Sequence, residues 1–122
     1  MEVPHKLVRK TLNSKVLTES RLPGVPLFSR GKVRDVYEAD GKLLIVATDR
    51  LSAFDVVLTS VPCKGAILNA IAADAFKATE DICPNHLIDM PHPNILRVKK
   101  AVPIAAEIIV RRYITGPLWR DY

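Results

Sequence analysis

Two runs rich in β-branched and aromatic residues, Lys32 to Glu38 and Lys42 to Thr48, flank the triplet "ADG" at 39–41. This pattern constrains the fold more than any other in the chain. Gly41 can supply the positive φ of a tight turn, so the runs predict an antiparallel hairpin. The second run, "LLIVAT", is continuously apolar rather than alternating. A strand of that kind is central in its sheet and buried on both faces.

Around this hairpin the chain offers further strands and one helix. "DVVL" at 55–58 reads as a strand, set off from the hairpin by the polar turn "DRLS". In "KGAILNAIAADAFKATE", Ala66, Ile67, Ala70, Ile71, Ala75 and Phe76 recur at helical spacing without an interior Gly or Pro, predicting a helix from about Gly65 to Ala78. "CPNHLIDM" and "ILRVKKAV" are short strand or loop candidates separated by "PHPN", and "IAAEIIVRRYI" has the apolar density of another strand. Strands, then a helix, then strands indicate an α+β fold with a mainly antiparallel sheet. Upstream, "LVRKTLNSKVLTES" is compatible with a short amphipathic helix, and "LPGVP" breaks regular structure so that the main fold starts near Leu27.

A length of 122 residues suits one core rather than two. The net charge of +5 suits anionic ligands such as nucleotides or phosphorylated metabolites, and also nucleic acid. The cations are spread along the chain, however, and seven aromatic side chains give little for base stacking, so no nucleic-acid partner is expected. No apolar stretch approaches the roughly 20 residues that span a bilayer. "MEVPHKLVRK" lacks a signal-peptide centre, making the cytoplasm the default compartment. Cys63 and Cys83 show no metal-ligand spacing and read as reduced thiols, while His86 and His92 sit beside prolines without a partner acid or nucleophile.

Three stretches could carry chemistry. In "SRGKVRD", Gly31 can bring backbone N–H groups to an anion while Arg30, Lys32 and Arg34 supply cations. Neither GxxxxGK[ST] nor GxGxxG is present, so by itself the segment is a phosphate loop or, the better reading, the charged rim of a solvated hairpin. "ATDRLSAFD" places Asp49, Arg50, Ser52 and Asp55 at the end of the buried strand. They either face a ligand or serve as turn residues, with Asp49 and Ser52 on local N–H groups and Asp55 paired to Arg50. "EIIVRRYITG" attaches Arg111 and Arg112 to an apolar run, and strand alternation lets only one of them, with Arg111 one candidate, face a given cleft.

Taken together, "RGKVRDVYE", "LLIVATDRLSAFDVVL", "PCKGAILN", "PNHL" and "EIIVRRYITGPLWRDY", in that order, resemble the N-terminal part of the phosphoribosylaminoimidazole-succinocarboxamide synthase (SAICAR synthetase) family from about Pro23 to Tyr122. The resemblance implies an N-terminal antiparallel sheet with one helix, similar to a protein-kinase small lobe, opening an ATP-grasp-like architecture. Residues 1–26 would be an extension or helix, 27–113 the nucleotide-binding lobe and 114–122 the start of a second domain. The implied activity is ligation of L-aspartate to carboxyaminoimidazole ribonucleotide through an acyl phosphate, with ATP converted to ADP and phosphate in the presence of Mg2+.

By the same resemblance, Arg30, Gly31, Lys32, Val33 and Arg34 form the loop over the ATP phosphates, with Lys32 the leading contact. Lys100 to Glu107 borders the adenine. Asp49, Arg50, Ser52, Asp55 and Arg111 face the ribonucleotide. By the resemblance, the magnesium-binding carboxylates and further substrate contacts belong to family segments downstream of Tyr122. Arg112 and Pro117 stand where the family usually has Gly and Ser, and Ala105 where it commonly has Pro. Two other readings accompany the ligase: a non-catalytic nucleotide-binding lobe, and a basic nucleic-acid module resting on charge alone.

Overall fold

The computed structural model describes residues 15–106, 108, 110 and 112–120. Its elements are strands β1 (Leu27–Arg30), β2 (Arg34–Ala39), β3 (Lys42–Ala47), β4 (Arg50–Ala53) and β5 (Val56–Ser60), helix α1 (Lys64–Ala78), strands β6 (Leu87–His92) and β7 (Ile95–Lys99), and a short helix α2 (Pro117–Arg120). Five strands form one antiparallel sheet in the order β1-β2-β3-β7-β6. The α+β reading therefore holds. Among the described residues no helix is long and apolar enough to cross a membrane.

The expected hairpin is β2–β3, closed by Asp40 and Gly41 at φ 52° and 70°, with Ala39 opposite Lys42. β3 is the middle strand, and its consecutive residues Val46 and Ala47 are both buried, as a strand covered on two faces requires. Three expectations change. β1 was not foreseen, because all four of its residues are exposed and leave no alternation to read. Three of the four residues of the expected turn "DRLS" belong to β4, paired with β5 as a separate two-stranded sheet. Its connecting residues, Phe54 and Asp55, both take positive φ (49° and 67°), a twist-matching turn without the Gly that would have announced it.

The run expected as a strand at 104–114 forms none among its described residues; Ile104 and Val110 are 84% and 92% exposed. Apolar density does not supply a hydrogen-bonding neighbour, and a strand needs one. The expected N-terminal helix lies largely outside the described residues, and 15–20 have no regular structure.

Helix α1 lies against one face of the sheet through Gly65, Asn69, Ala72 and Phe76, while Ile67 and Ile71, which carried much of the periodicity, are exposed. A side chain at Gly65 would explain why: its Cβ would fall 2.2 Å from the Ala47 carbonyl oxygen and 2.6 Å from Asn94 Nδ2. Only glycine permits this approach. Asn94 also donates from Nδ2 to the Ala47 carbonyl at 2.9 Å and accepts from the Ala47 N–H at 2.9 Å, tying the β6–β7 turn to the end of β3.

Two carboxylates hold the segment before β1, Asp35 on the face away from α1 and Asp49 at the end of β3. Asp35 has no exposed surface; its Oδ2 accepts the Ser20 N–H (3.1 Å) and hydroxyl (2.7 Å), and its Oδ1 accepts Arg50 Nη2 (3.0 Å) and lies 3.2 Å from Arg30 Nε. Tyr37 adds its hydroxyl to the Ser20 carbonyl at 2.8 Å. Burial pushes the Asp35 carboxyl up, but the Ser20 hydroxyl, the Ser20 N–H and Arg50 together outweigh it and hold it below the usual range. Asp49, 3% exposed, accepts the Leu17 N–H and the Gly65 N–H at 2.9 Å each, while its own N–H donates to the Leu17 carbonyl at 2.8 Å.

Two outcomes are expected. Gly65→Ala drives Cβ into backbone and costs about 2–3 kcal/mol of stability in urea unfolding. Asp35→Asn leaves the Arg50 guanidinium without its anion and takes one of two from Arg30, and costs about 3 kcal/mol at neutral pH. Because the folded Asp35 carboxyl titrates below its unfolded value, its contribution is complete above about pH 4 and disappears as pH falls through the folded value. The Asp35→Asn protein should therefore lose less stability than the wild type on acidification below pH 4, read as the urea midpoint across that range.

Candidate functional site

The residues singled out by sequence divide into two groups on opposite sides of the β1–β2 connection. Arg30 turns toward the Asp35 side, where its Nη1 meets Glu19 Oε1 at 2.6 Å and its Nη2 donates to the Ser20 carbonyl at 3.1 Å. The Glu19 hydrogen bond, with the Asp35 charge behind it, raises the guanidinium above its ordinary value. Arg50 is also committed there, donating to the carbonyls of Thr18 (2.9 Å) and Gly31 (3.0 Å) as well as to Asp35, so the expected Arg50–Asp55 pair does not form. Gly31 spends its N–H on the Arg34 carbonyl at 2.7 Å. The glycine therefore shapes the loop rather than offering an anion its own donor. Asp49 bonds backbone groups distant in sequence, not the local ones expected.

In the second group, Val33 and Arg34 reach the helix side. The Val33 carbonyl accepts the Thr48 N–H (3.1 Å) and hydroxyl (2.7 Å), which pins the loop to the end of β3 and leaves the Val33 side chain half-buried. Arg34 is exposed on the same face. Lys32 forms an ion pair with Asp55 at the tip of the β4–β5 hairpin; the hydrogen bond from Lys32, then its charge, holds the Asp55 carboxyl below its ordinary value. Ser52 is half-buried on β4 opposite Val57. Glu107 and Arg111 lie outside the described residues. The Arg112 guanidinium lies 5.6 Å from the Tyr113 ring centre.

Sequence motifs missed the surface that this second group borders. The register pairs Leu43 with Val98 and Ile45 with Leu96, placing all four on the helix-side face. Over that face an apolar slot of about 570 Å³ is enclosed by Phe28, Leu43, Ile45, Val98 and the segment 100–103. Lys100 closes one side, with its Nζ 5.0 Å from the Phe28 ring centre and 2.7 Å from Glu38 Oε1. A second cavity of about 170 Å³ lies between Val33, Arg34 and Ala47 of the sheet side and Lys64, Leu68 and Asn69 of α1. Ile45 and His86 line both cavities, so the two are neighbouring parts of one concave surface. The available signal was the alternation of Leu43, Ile45 and Ala47 with Leu96 and Val98, which names a face without naming a use.

Known proteins match both the sequence and this arrangement. The description of SAICAR synthetase matches residues 27–122. Phosphoribosylaminoimidazole-succinocarboxamide synthase of Thermodesulfovibrio yellowstonii is 47% identical, the match covering 88% of this chain and 42% of that protein. Its counterpart in Citrifermentans bemidjiense is 47% identical over 82% of this chain and 39% of that protein. Among solved structures, a SAICAR synthase superposes with a TM-score of 0.81 at 40% identity, covering 87% of this chain and 44% of that one. The Saccharomyces cerevisiae SAICAR synthase complexed with SAICAR gives 0.80 at 39% identity over the same shares. The chain thus spans about two fifths of the length of these relatives. By sequence and by fold, the chain belongs to the SAICAR synthetase family.

Proposed function

We propose that this chain is the nucleotide-binding lobe of a ligase that joins L-aspartate to carboxyaminoimidazole ribonucleotide, converting ATP to ADP and phosphate. The observation that carries this reading is the apolar slot over Leu43 and Ile45, which shares Ile45 and His86 with the cavity that Val33 and Arg34 of the cationic loop line. A purine needs flat apolar walls and backbone groups at its edge; Phe28, Leu43 and the irregular segment 101–103 would supply them. A polyphosphate needs cations at a fixed distance from the base, and the bond from Thr48 to the Val33 carbonyl fixes the loop.

In this reading the carboxylate of the ribonucleotide is activated as an acyl phosphate, which the amine of L-aspartate attacks with loss of phosphate. Lys32 would neutralise charge on the phosphoryl group being transferred. Lys32 faces Asp55, so an incoming phosphate would replace one anion by another at this ammonium. Asp55 and Ser52, at the tip and side of the β4–β5 hairpin, would border the ribonucleotide together with Arg111, and Glu107 would lie beside the adenine. The described residues do not fit a protein-held magnesium, since no three of their His, Cys, Asp or Glu side chains converge. When bound on the phosphates, magnesium would supply further charge neutralisation.

Two measurements test this reading. In calorimetry, Lys32→Ala should weaken ATP about tenfold while leaving adenosine binding unchanged, the loss of one charge-assisted contact; equal ATP affinity in both proteins would remove Lys32 from the phosphate site. With magnesium, ATP, L-aspartate and carboxyaminoimidazole ribonucleotide, ADP release should require both the amino acid and the ribonucleotide. ADP release independent of them, or none at all, would reject ligation by this chain.

A further inference from the structure

We infer that Arg50 is a positioning residue for the β1–β2 loop: it braces the Gly31 carbonyl so that Lys32 is presented to a phosphate, and it does not itself touch the ligand. The inference rests on the nucleotide reading for its ligand and on independent geometry for the brace. The Arg50 side chain is 13% exposed, and its guanidinium spans three acceptors, Nη1 donating to the Thr18 carbonyl and Nη2 to both the Gly31 carbonyl and Asp35 Oδ1. Its Nε is buried without a partner. A guanidinium held in this way reaches a ligand only by giving up Asp35, a carboxylate with no exposed surface.

The loop is anchored at two carbonyls, and they flank Lys32. The Val33 carbonyl accepts the Thr48 N–H and hydroxyl, while the Gly31 carbonyl accepts Arg50. One peptide unit is thus held from the end of β3 and the other from the start of β4. Between them the Gly31 N–H donates to the Arg34 carbonyl and closes the loop on itself. The backbone at Lys32 is fixed, yet its side chain is 53% exposed and can exchange Asp55 for another anion. A cation whose backbone is already placed has less freedom to lose when a phosphate arrives.

The residue type follows from the number of acceptors. A planar fork bonds three of them from one centre, whereas an ammonium at the end of a flexible stem has no fixed directions. The acceptor farthest from the loop belongs to residues 17–20, which precede the 27–122 matched by the SAICAR synthetase family. Leu17 and Thr18 take part through their backbone groups, the first with Asp49 and the second with Arg50. This end of the brace is therefore set by where the segment lies, not by the side chains of those two residues.

The test uses calorimetry with ATP, inorganic tripolyphosphate and adenosine on the wild type, Lys32→Ala, Arg50→Gln, Arg50→Lys and the two double variants, with thermal melts to confirm folding. Arg50→Gln should weaken ATP and tripolyphosphate about tenfold, leave adenosine unchanged, and cost nothing further in the Lys32→Ala protein, because it acts through Lys32. Arg50→Lys, which keeps a charge beside Asp35, should lose less and show the same dependence on Lys32; it carries the comparison if Arg50→Gln does not fold. Losses that add to that of Lys32→Ala would make Arg50 a ligand contact, and unchanged phosphate affinity would leave it a stability residue; either overturns the inference. Amide exchange reads the brace without a ligand: both variants should speed the Gly31 N–H several-fold relative to the Thr48 N–H, which the other anchor holds. Equal acceleration at the two amides, or a wild type that binds no tripolyphosphate, also overturns it. A wild type that takes tripolyphosphate through Lys32 but neither ATP nor adenosine leaves the brace standing and rejects the nucleotide reading.

Discussion

Asp35 is a carboxylate with no exposed surface, and its donors arrive from segments around Ser20, Arg30 and Arg50 that are far apart in sequence. An uncompensated charge in that position would be prohibitive, so the fold forms only when all three segments are in place. One ion thus fixes the strand before the loop, the strand after the hairpin and the segment laid across the sheet. The cost of desolvation is turned into specificity of register, because no neighbouring residue of β2 could meet the same donors. Tyr37, two positions along the same face, closes the arrangement through the Ser20 carbonyl.

Asp49 continues this logic to the other face. It links the Leu17 backbone to the Gly65 N–H, so the segment before β1 and the start of α1 are joined through a single buried side chain at the end of β3. The glycine at the helix start lets α1 approach the Ala47 carbonyl, and the approach sets the depth of the cavity beneath it. The shape of the candidate site is therefore a consequence of two buried carboxylates and one missing side chain.

The hairpin, the central strand and the helix were legible because each is written in local residues: a turn with Gly41, a continuous apolar run, and a 3.6-residue period. β1 and β4 were not, since an exposed edge strand and a hairpin closed by Phe54 and Asp55 leave no periodic or glycine signal. The motifs named the candidate residues but not the partners that each of them takes in the fold. Arg30, Lys32, Arg34 and Arg50 look alike as cations in the sequence, yet Arg30 and Arg50 serve a buried carboxylate fifteen or fewer positions away, a pairing that only the folded register reveals. The apolar slot was invisible for the opposite reason: its walls combine a core residue, Val98, with exposed ones, Phe28 and Val102, that no motif marks.

That division changes what a cation-rich motif means. A strand alternates its side chains, so a run such as "RGKVRD" can feed two faces at once, building the lobe with one set of charges and leaving another for a ligand. Arg34 and Asp35 are adjacent, yet one lines the helix-side cavity and the other lies fully buried on the opposite face. Charge at the loop is therefore not interchangeable with binding. The cations with partners inside the lobe hold the loop in shape, and the shape in turn keeps Arg34 without a carboxylate partner beside a concave surface, the arrangement an anionic ligand requires.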